Sequence, residues 1–303
     1  MKKLQELLFL KALPKIGNSK INTKYFVKIK FAKDYDDLVS KIEAENFTDD
    51  ELSAADAFAR DQIKQLKESG VHAITIFDDD YPEALNDMGG SKPVFLFVKG
   101  NKELLRSKGI AVVGTRKPCE WSTHSEPALV RDIIRYSNKT IISGLAQGCD
   151  KLAHETALEC CDDLNGRTIA VLPSGVDIIT PSQHKGLAND ILAKYGCLLS
   201  EYPLGRKANR FTFVERDSII AALSDVTFAV ECSTKSGTMH TIEAAGKYKR
   251  AIAALMPDEQ HRKTGDFSGN CHAVEKMRGK AVRDAEDLKR LMEYYSALSD
   301  AQK

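Results

Sequence analysis

The sequence predicts an α/β protein: a Rossmann-like, mostly parallel sheet with helices on both faces, preceded by a small N-terminal helical domain. Three observations predict it. From His72 onward a series of short apolar runs (AITIF, VFLFV, IAVVG, TIISG, TIAVL, CLLSEY, VTFAVE and AIAAL) is interrupted by helix-length segments. The runs before Gly114, Gly144 and Gly175 are apolar almost throughout, as strands buried on both faces of a parallel sheet must be. Ahead of His72 the apolar residues instead follow helical spacing.

Taken in order, Leu4, Leu7, Leu8 and Leu10 precede a turn at Pro14 to Gly17, and Leu52 to Lys67 carries a second helical pattern. The segment LPKIG resembles a helix-hairpin-helix turn, but Lys15 stands where that motif prefers glycine, so a packing role is expected. The strand-forming region follows, with gaps long enough for the crossover helices that parallel strands require. After Pro257 the chain turns polar until a final helix from Ala285 to about Leu298. At 303 residues the chain exceeds the roughly 100–200 residues of one domain. The expected division is a helical domain over 1–70, a Rossmann-like domain over 71–290 with its core between Ile110 and Pro257, and a helical tail over 291–303. That tail is too short for a winged-helix domain.

Composition narrows the function classes. Hydrophobic residues at 43% and charged residues at 29% are ordinary for a globular protein, and a net charge of +1 means that any nucleic-acid binding must come from a local basic patch. The opening MKKLQELLFLKALPKIG is interrupted by Glu6 and Lys11 and lacks a cleavage site, and no run approaches the ~20 apolar residues of a membrane span. A cytoplasmic protein without membrane contact is expected. The seven cysteines (119, 149, 160, 161, 197, 232 and 271) are scattered and contain no CxxC pair, so reduced thiols in packing roles are expected, Cys149 among them.

Chemistry concentrates in three turns. Gly114-Thr115-Arg116-Lys117 follows strand IAVVG and precedes a helix whose Leu129, Ile133 and Ile134 share one face. Such a turn offers backbone N–H groups and a helix start to an anion, and Arg116 can grip a phosphate through two hydrogen bonds; the plainer alternative is a solvated charge on a tight strand exit. The second turn runs from Ser143 and Gly144 through Gly148 to Asp150, which suits a helix N-cap, while Ala153 and Ala157 form a thin helical face. Its glycine spacing is not GxGxxG and no acidic residue follows for a ribose, so no nicotinamide cofactor is implied. His154, one turn after Asp150, finds no third ligand at sensible spacing, and a hydrogen-bonded histidine is preferred to a metal site. The third turn, Thr234-Lys235-Ser236-Gly237-Thr238, opens another helix with two hydroxyls and a positive charge. All three sit at carboxyl ends of strands, where open α/β sheets bind ligands.

The ordered motifs resemble the bacterial DNA-processing family DprA (Smf). They are Tyr81-Pro82 with Leu85, Pro93, VKGN (98–101), VVGTRK, SGLAQGCDKLAHETAL (143–158), LPSGVDIITP, Leu199 to Pro203, Phe213 to Ser224, Lys235 to Thr238, Ser268-Gly269-Asn270, Gly279 and Asp284 to Asp287. The resemblance implies a Rossmann-like core that binds single-stranded DNA, forms a homodimer and loads a RecA-type recombinase during recombination and natural transformation, without catalysis. Carried over by motif, the DNA- and phosphate-binding positions are Gly114, Thr115, Arg116, Lys117, Ser143, Gly144, Gly148, Arg210, Phe213, Arg216, Lys235, Ser236, Gly237 and Thr238. Phe213 beside Arg210 and Arg216 joins a stacking ring to cations, as single-strand binders do, whereas Phe211 is expected in the core. The chain departs from the family where a proline and an Arg-Arg-Asn-Arg run are replaced by Val214, Glu215, Arg216, Asp217 and Ser218. Two cations are lost and two anions gained, so binding weaker and less salt-dependent than in a typical member is expected.

Two other classes fit parts of the sequence. A nucleotide-derivative sensor or phosphoribohydrolase-like enzyme of the lysine-decarboxylase-like type would need a PGGxGTxxE turn, but Glu243 falls two positions late and no Pro-Gly-Gly precedes Gly237-Thr238. A partner protein with a drifted DNA pocket would explain the lost cations. Glu201 and Glu231 end strands on the ligand edge, where hydrogen bonding to neighbouring turns is preferred to a role as catalytic base.

Overall fold

A computed structural model describes residues 3–43, 47–160 and 168–300. The chain begins with five helices, α1 (Leu4–Ala12), α2 (Asn18–Lys20), α3 (Phe26–Phe31), α4 (Tyr35–Glu43) and α5 (Asp49–Ser69). In α1 the consecutive residues Leu7, Leu8, Phe9 and Leu10 are all fully buried, so this helix is apolar all round and runs through the middle of the unit. Helix α5 starts at a capping box, in which Thr48 and Glu51 exchange side-chain and backbone hydrogen bonds, and stops at Gly70, whose φ of +67° is left-handed. In LPKIG, Leu13 and Ile16 are buried and Lys15 adopts φ +60°, the conformation for which glycine is the easier residue.

These helices share one apolar core with Ala73, Phe95 and Phe97 of the first two strands. Gln62 ties α5 to the loop beyond: its side chain donates to the Leu204 carbonyl (3.2 Å) and accepts from the Leu204 N–H (3.0 Å), all of it buried. Gln62→Leu would strand both backbone groups, at about 1–3 kcal/mol for each. A lowered urea midpoint at unchanged m-value is the expected result; an unchanged midpoint would show that the helices hold without this bond.

The strands are β1 (His72–Thr75), β2 (Phe95–Gly100), β3 (Gly109–Val113), β4 (Ile141–Ser143), β5 (Thr168–Val171), β6 (Cys197–Ser200), β7 (Ser224–Ala229), β8 (Ala251–Leu255) and β9 (Lys280–Val282). Among the described residues they form one sheet in the order β1-β2-β6-β5-β4-β3-β7-β8-β9. From β6 to β9 every pairing is parallel, and β1 and β2 add an antiparallel edge. The crossover helices are α6 (Glu120–Ser137), α7 (Cys149–Glu159), α8 (Lys185–Ala193), α9 (Arg210–Ala222) and α10 (Thr238–Lys247), with α11 (Ser268–Lys276) and α12 (Ala285–Asp300) after them. Strand alternation sorts them onto two faces. Ile110 and Val112 join α6, α7 and α12, with Leu129, Ile133 and the small Ala153 and Ala157 in contact, whereas Ala111 and Val113 join α9, α10 and α11.

The polar stretch after Pro257 holds α11 and β9, which apolar patterning did not predict. β9 pairs in parallel with β8, and Asn270 anchors α11. Fully buried, it donates to the carbonyls of Ala229, Val230 and Leu255 and accepts from the Cys232 N–H, so a hydrogen-bond network does the work that periodicity does elsewhere. Cys119, Cys149, Cys197, Cys232 and Cys271 are free thiols; Cys161 lies outside the described residues.

Candidate nucleic-acid interface

The chain leaves β3 for β4, β5 and β6 on one side, then returns to β7, β8 and β9 on the other, so the sheet reverses direction between β3 and β7. A crevice opens outside the carboxyl ends of the strands at such a point. The first and third turns flank it, and the second lies beside the first.

Close backbone approach explains the glycines. A Cβ on Gly148, where φ is +74°, would lie 2.3 Å from the Thr115 carbonyl oxygen, and one on Gly114 would lie 2.5 Å from Cys149 Sγ. The first two turns are therefore pressed together, bonded by the Cys149 N–H donating to Thr115 O at 3.1 Å. Cys149 fills this junction fully buried, and burial pushes its thiol far up, which is the packing role expected of it. Asp150 is not the N-cap of α7: Gly148 holds that position, and the Asp150 carboxylate reaches back to accept from the N–H groups of Gly144 (3.1 Å) and Ala146 (3.3 Å). It braces the loop rather than the helix. His154 is buried against Thr168 Oγ1 (2.7 Å), and burial pulls its pKa down to about 3, so it is neutral. No group of three or more His, Cys, Asp or Glu among the described residues has the arrangement of a metal site.

Helix α9 forms the opposite wall. Asn209 caps it through the N–H groups of Phe211 and Thr212, and the 3.6-residue period then sets Phe213, Arg216 and Asp217 towards the crevice. A cavity of about 490 Å³ results, lined by Gly114, Thr115, Arg116, Arg210, Phe213, Arg216, Ser236, Gly237 and Thr238 from the expected set. Asp150, Asp217 and His240 also line it, and sequence reasoning assigned none of them to a site. Arg116 and Arg216 lie 5.6 and 5.9 Å from the centre of the Phe213 ring. Gly144 borders an adjoining cavity of about 200 Å³ that Arg116 and Phe213 share. Gly148, Lys117 and Lys235 line neither, although both lysines are exposed nearby.

Three expectations need correction. Ser143 is fully buried and donates its hydroxyl to the Val112 carbonyl (2.7 Å), so it fastens β4 to β3 and offers nothing to a ligand. Phe211 is 62% exposed instead of in the core, because a helix start turns it away from the sheet. Arg216 is 5% exposed, and its guanidinium lies 3.7 Å from Asp150 and 3.2 Å from Asp217. It is the ion-paired floor of the cavity, not a free cation. Gly144 shows how closely it fits, since a Cβ there would lie 1.0 Å from Arg216 Nη1. Glu231 and Glu201 have hydrogen-bonding roles: Glu231 accepts from the Cys119 N–H (2.9 Å) and Glu201 from Asn18 (2.8 Å).

Burial pushes the Asp217 carboxyl up to about 6 in spite of Arg216 beside it. Asp150, His240 and Arg116 are the other charged or titratable groups acting on it. Above about pH 6 it puts a negative charge on the wall of the crevice, and protonation below that pH removes it. Affinity for an anionic strand is therefore expected to rise roughly fivefold between about pH 7.5 and 5.5, as one charge a few ångströms away in a wet cleft is worth about 1 kcal/mol. Asp217→Asn should bind more tightly at the higher pH and lose that part of the rise. A variant whose affinity rises with acidity just as the unaltered protein's does would show that Asp217 is not the group responsible.

The family model described as DNA recombination-mediator protein A matches residues 72–293. The chain belongs to this family. The Smf protein of Synechocystis is 36% identical over 208 residues, 65% of this chain and 50% of the relative, so the chain spans about half that relative's length. DNA processing protein DprA of Streptococcus pneumoniae is 32% identical over 216 residues, 71% of this chain and 72% of the relative. A crystal structure of the pneumococcal DprA superposes with a TM-score of 0.65 at 27% identity, covering 94% of this chain and 92% of that one. A structure of DNA processing protein A from Helicobacter pylori, described for its single-stranded DNA binding mode, superposes with a TM-score of 0.62 at 27% identity, covering 74% of this chain and 96% of that one. The match to the mediator family begins where the helical N-terminal segment gives way to β1. No helix among the described residues is long and apolar enough to cross a membrane.

Proposed function

We propose that this member of the mediator family binds single-stranded DNA in the crevice between the ends of β3 and β7, with the strand backbone against the glycine turns. One observation carries the reading: the crevice joins the exposed cations Arg116 and Arg210 to the ring of Phe213 and to the helix start at Ser236 to Thr238, so it offers charge for phosphates beside a face on which a base stacks. Sequence-independent affinity then comes from released counterions. With Glu215 and Ser218 where the family resemblance leads to cations being expected, the salt dependence is shallower than in a typical member. The protein acts as a cytoplasmic homodimer that hands the covered strand to a RecA-type recombinase, and it performs no covalent chemistry. Glu243, on the exposed side of α10, does not line the cavity, and Glu201 and Glu231 are engaged elsewhere. These placements argue against the phosphoribohydrolase-like alternative.

A mobility-shift comparison of oligo(dT) with a duplex at two salt concentrations, with Arg116→Ala as control, tests this. Preference for the single strand, weakened by salt and by the substitution, is the expected result. Equal affinity for both, or melting-temperature shifts from mononucleotides but not from oligo(dT), would replace it by the nucleotide-sensor reading.

A further inference from the structure

A second groove, of about 970 Å³, lies on the far side of the first turn of α9, between that turn, the loop after β6 and helix α5. It is lined by Phe58, Gln62 and Gln65 of α5 on one side and by Arg206, Asn209 and Phe211 on the other. Arg210 connects it to the first cavity, because this residue lines that cavity while its guanidinium lies 4.6 Å from the centre of the Phe211 ring. Arg206 lines this groove, Arg210 lines the first cavity and Lys207 follows Arg206 in the chain; all three are exposed, and no ion pair among the described residues engages them. The groove also holds two exposed acids, Asp61, which accepts from Gln65 (2.6 Å), and Glu215, which accepts from the Tyr202 hydroxyl and faces Lys11. Its walls present the exposed ring of Phe211 and the exposed amide of Gln65, with Arg206 among the lining residues.

We infer that the DNA strand continues from the first cavity across the first turn of α9 into this groove, with a base stacked on Phe211 and the adjoining phosphates held by Arg206 and Lys207. The inference rests on the single-strand reading above and extends the site to a face built partly by the N-terminal helices. Charge and shape agree with it. An aromatic ring beside an arginine is a stacking platform that any base can use, the exposed Gln65 amide suits the hydrogen-bonding edge of a base, and exposed cations without ion pairs beside the groove suit a backbone. The three cations also offset the two that the chain lacks at 215 and 218.

Fluorescence anisotropy with the full chain and oligo(dT) of about 5 and about 15 nucleotides, bracketing common site sizes, tests the path. Arg116→Ala is expected to weaken both lengths. Phe211→Ala should weaken the long strand roughly tenfold and leave the short one unchanged, the worth of one base–aromatic stack. The double variant Arg206→Ala, Lys207→Ala should lower the salt slope for the long strand by about 1.4, two phosphate contacts at ~0.7 each. All three side chains are exposed, so wild-type melting temperatures are expected. Wild-type binding of both lengths by the Phe211 and Arg206/Lys207 variants, with Arg116→Ala still defective, overturns the second groove and leaves the first site intact. Failure of the unaltered protein to bind either length overturns both.

Discussion

Arg216→Ala is expected to destabilise the protein by about 3–5 kcal/mol, the cost of leaving buried acids without their cation. The guanidinium and both carboxylates are almost entirely out of solvent, with side-chain exposures of 6% for Arg216, 7% for Asp150 and 13% for Asp217. Solvent screening therefore gives little relief. The Asp217 carboxyl already titrates well above its usual range with the arginine present, so burial costs this charge more than the pair returns. Removing the arginine leaves Asp150 and Asp217 facing each other, and Asp150 also holds the Gly144 to Ala146 loop. Thermal unfolding should show a midpoint lower by on the order of 10 °C, and DNA binding should fall with it because the floor of the cavity is lost. Combining the change with Asp150→Asn and Asp217→Asn should restore much of the midpoint. A wild-type midpoint for Arg216→Ala alone would mean that the guanidinium is not a support and is free to contact DNA.

Arg116→Ala is expected to have the opposite signature, a large loss of binding at unchanged stability. Arg116 is exposed and has no acidic partner among the described residues, so its removal strands no buried group. A charge-assisted hydrogen-bonding contact contributes about 1.5–3 kcal/mol, which is roughly a ten- to hundredfold loss of affinity for oligo(dT). The salt slope should fall by about 0.7 for each phosphate contact removed. Some loss of stacking is included, since the guanidinium lies against the Phe213 ring on which a base would rest. Anisotropy titrations at several salt concentrations give both quantities, and a thermal melt provides the control. Unchanged affinity would remove the first turn from the site.

The contrast between these arginines marks where sequence reasoning stops. Both lie in family motifs and both carry the same charge. The exposure of Arg116 on the crevice was legible because a residue just past a glycine turn at a strand end is driven outward by local geometry. That of Arg216 was not, because its partner Asp150 comes from a different crossover unit. Phe211 shows the same limit: an aromatic residue in an apolar run looks like core until a cap at Asn209 starts a helix that turns it outward.

The sequence by itself determined the sheet, its three glycine turns on one edge, the helical N-terminal segment and the family. Each of these is written in local pattern: strands apolar on both faces, glycine where backbones meet, helical spacing before His72. The tertiary structure alone decided α11, anchored by the contacts of Asn270 with distant carbonyls, and β9, paired with β8, and it separated the ion-paired floor of the pocket from its exposed cations. It also placed the second groove, whose walls, α5 and the segment around the start of α9, lie far apart in the sequence. The physical reason is common to all of them: burial and pairing depend on neighbours brought together by folding, and neither residue type nor spacing records which neighbours those are.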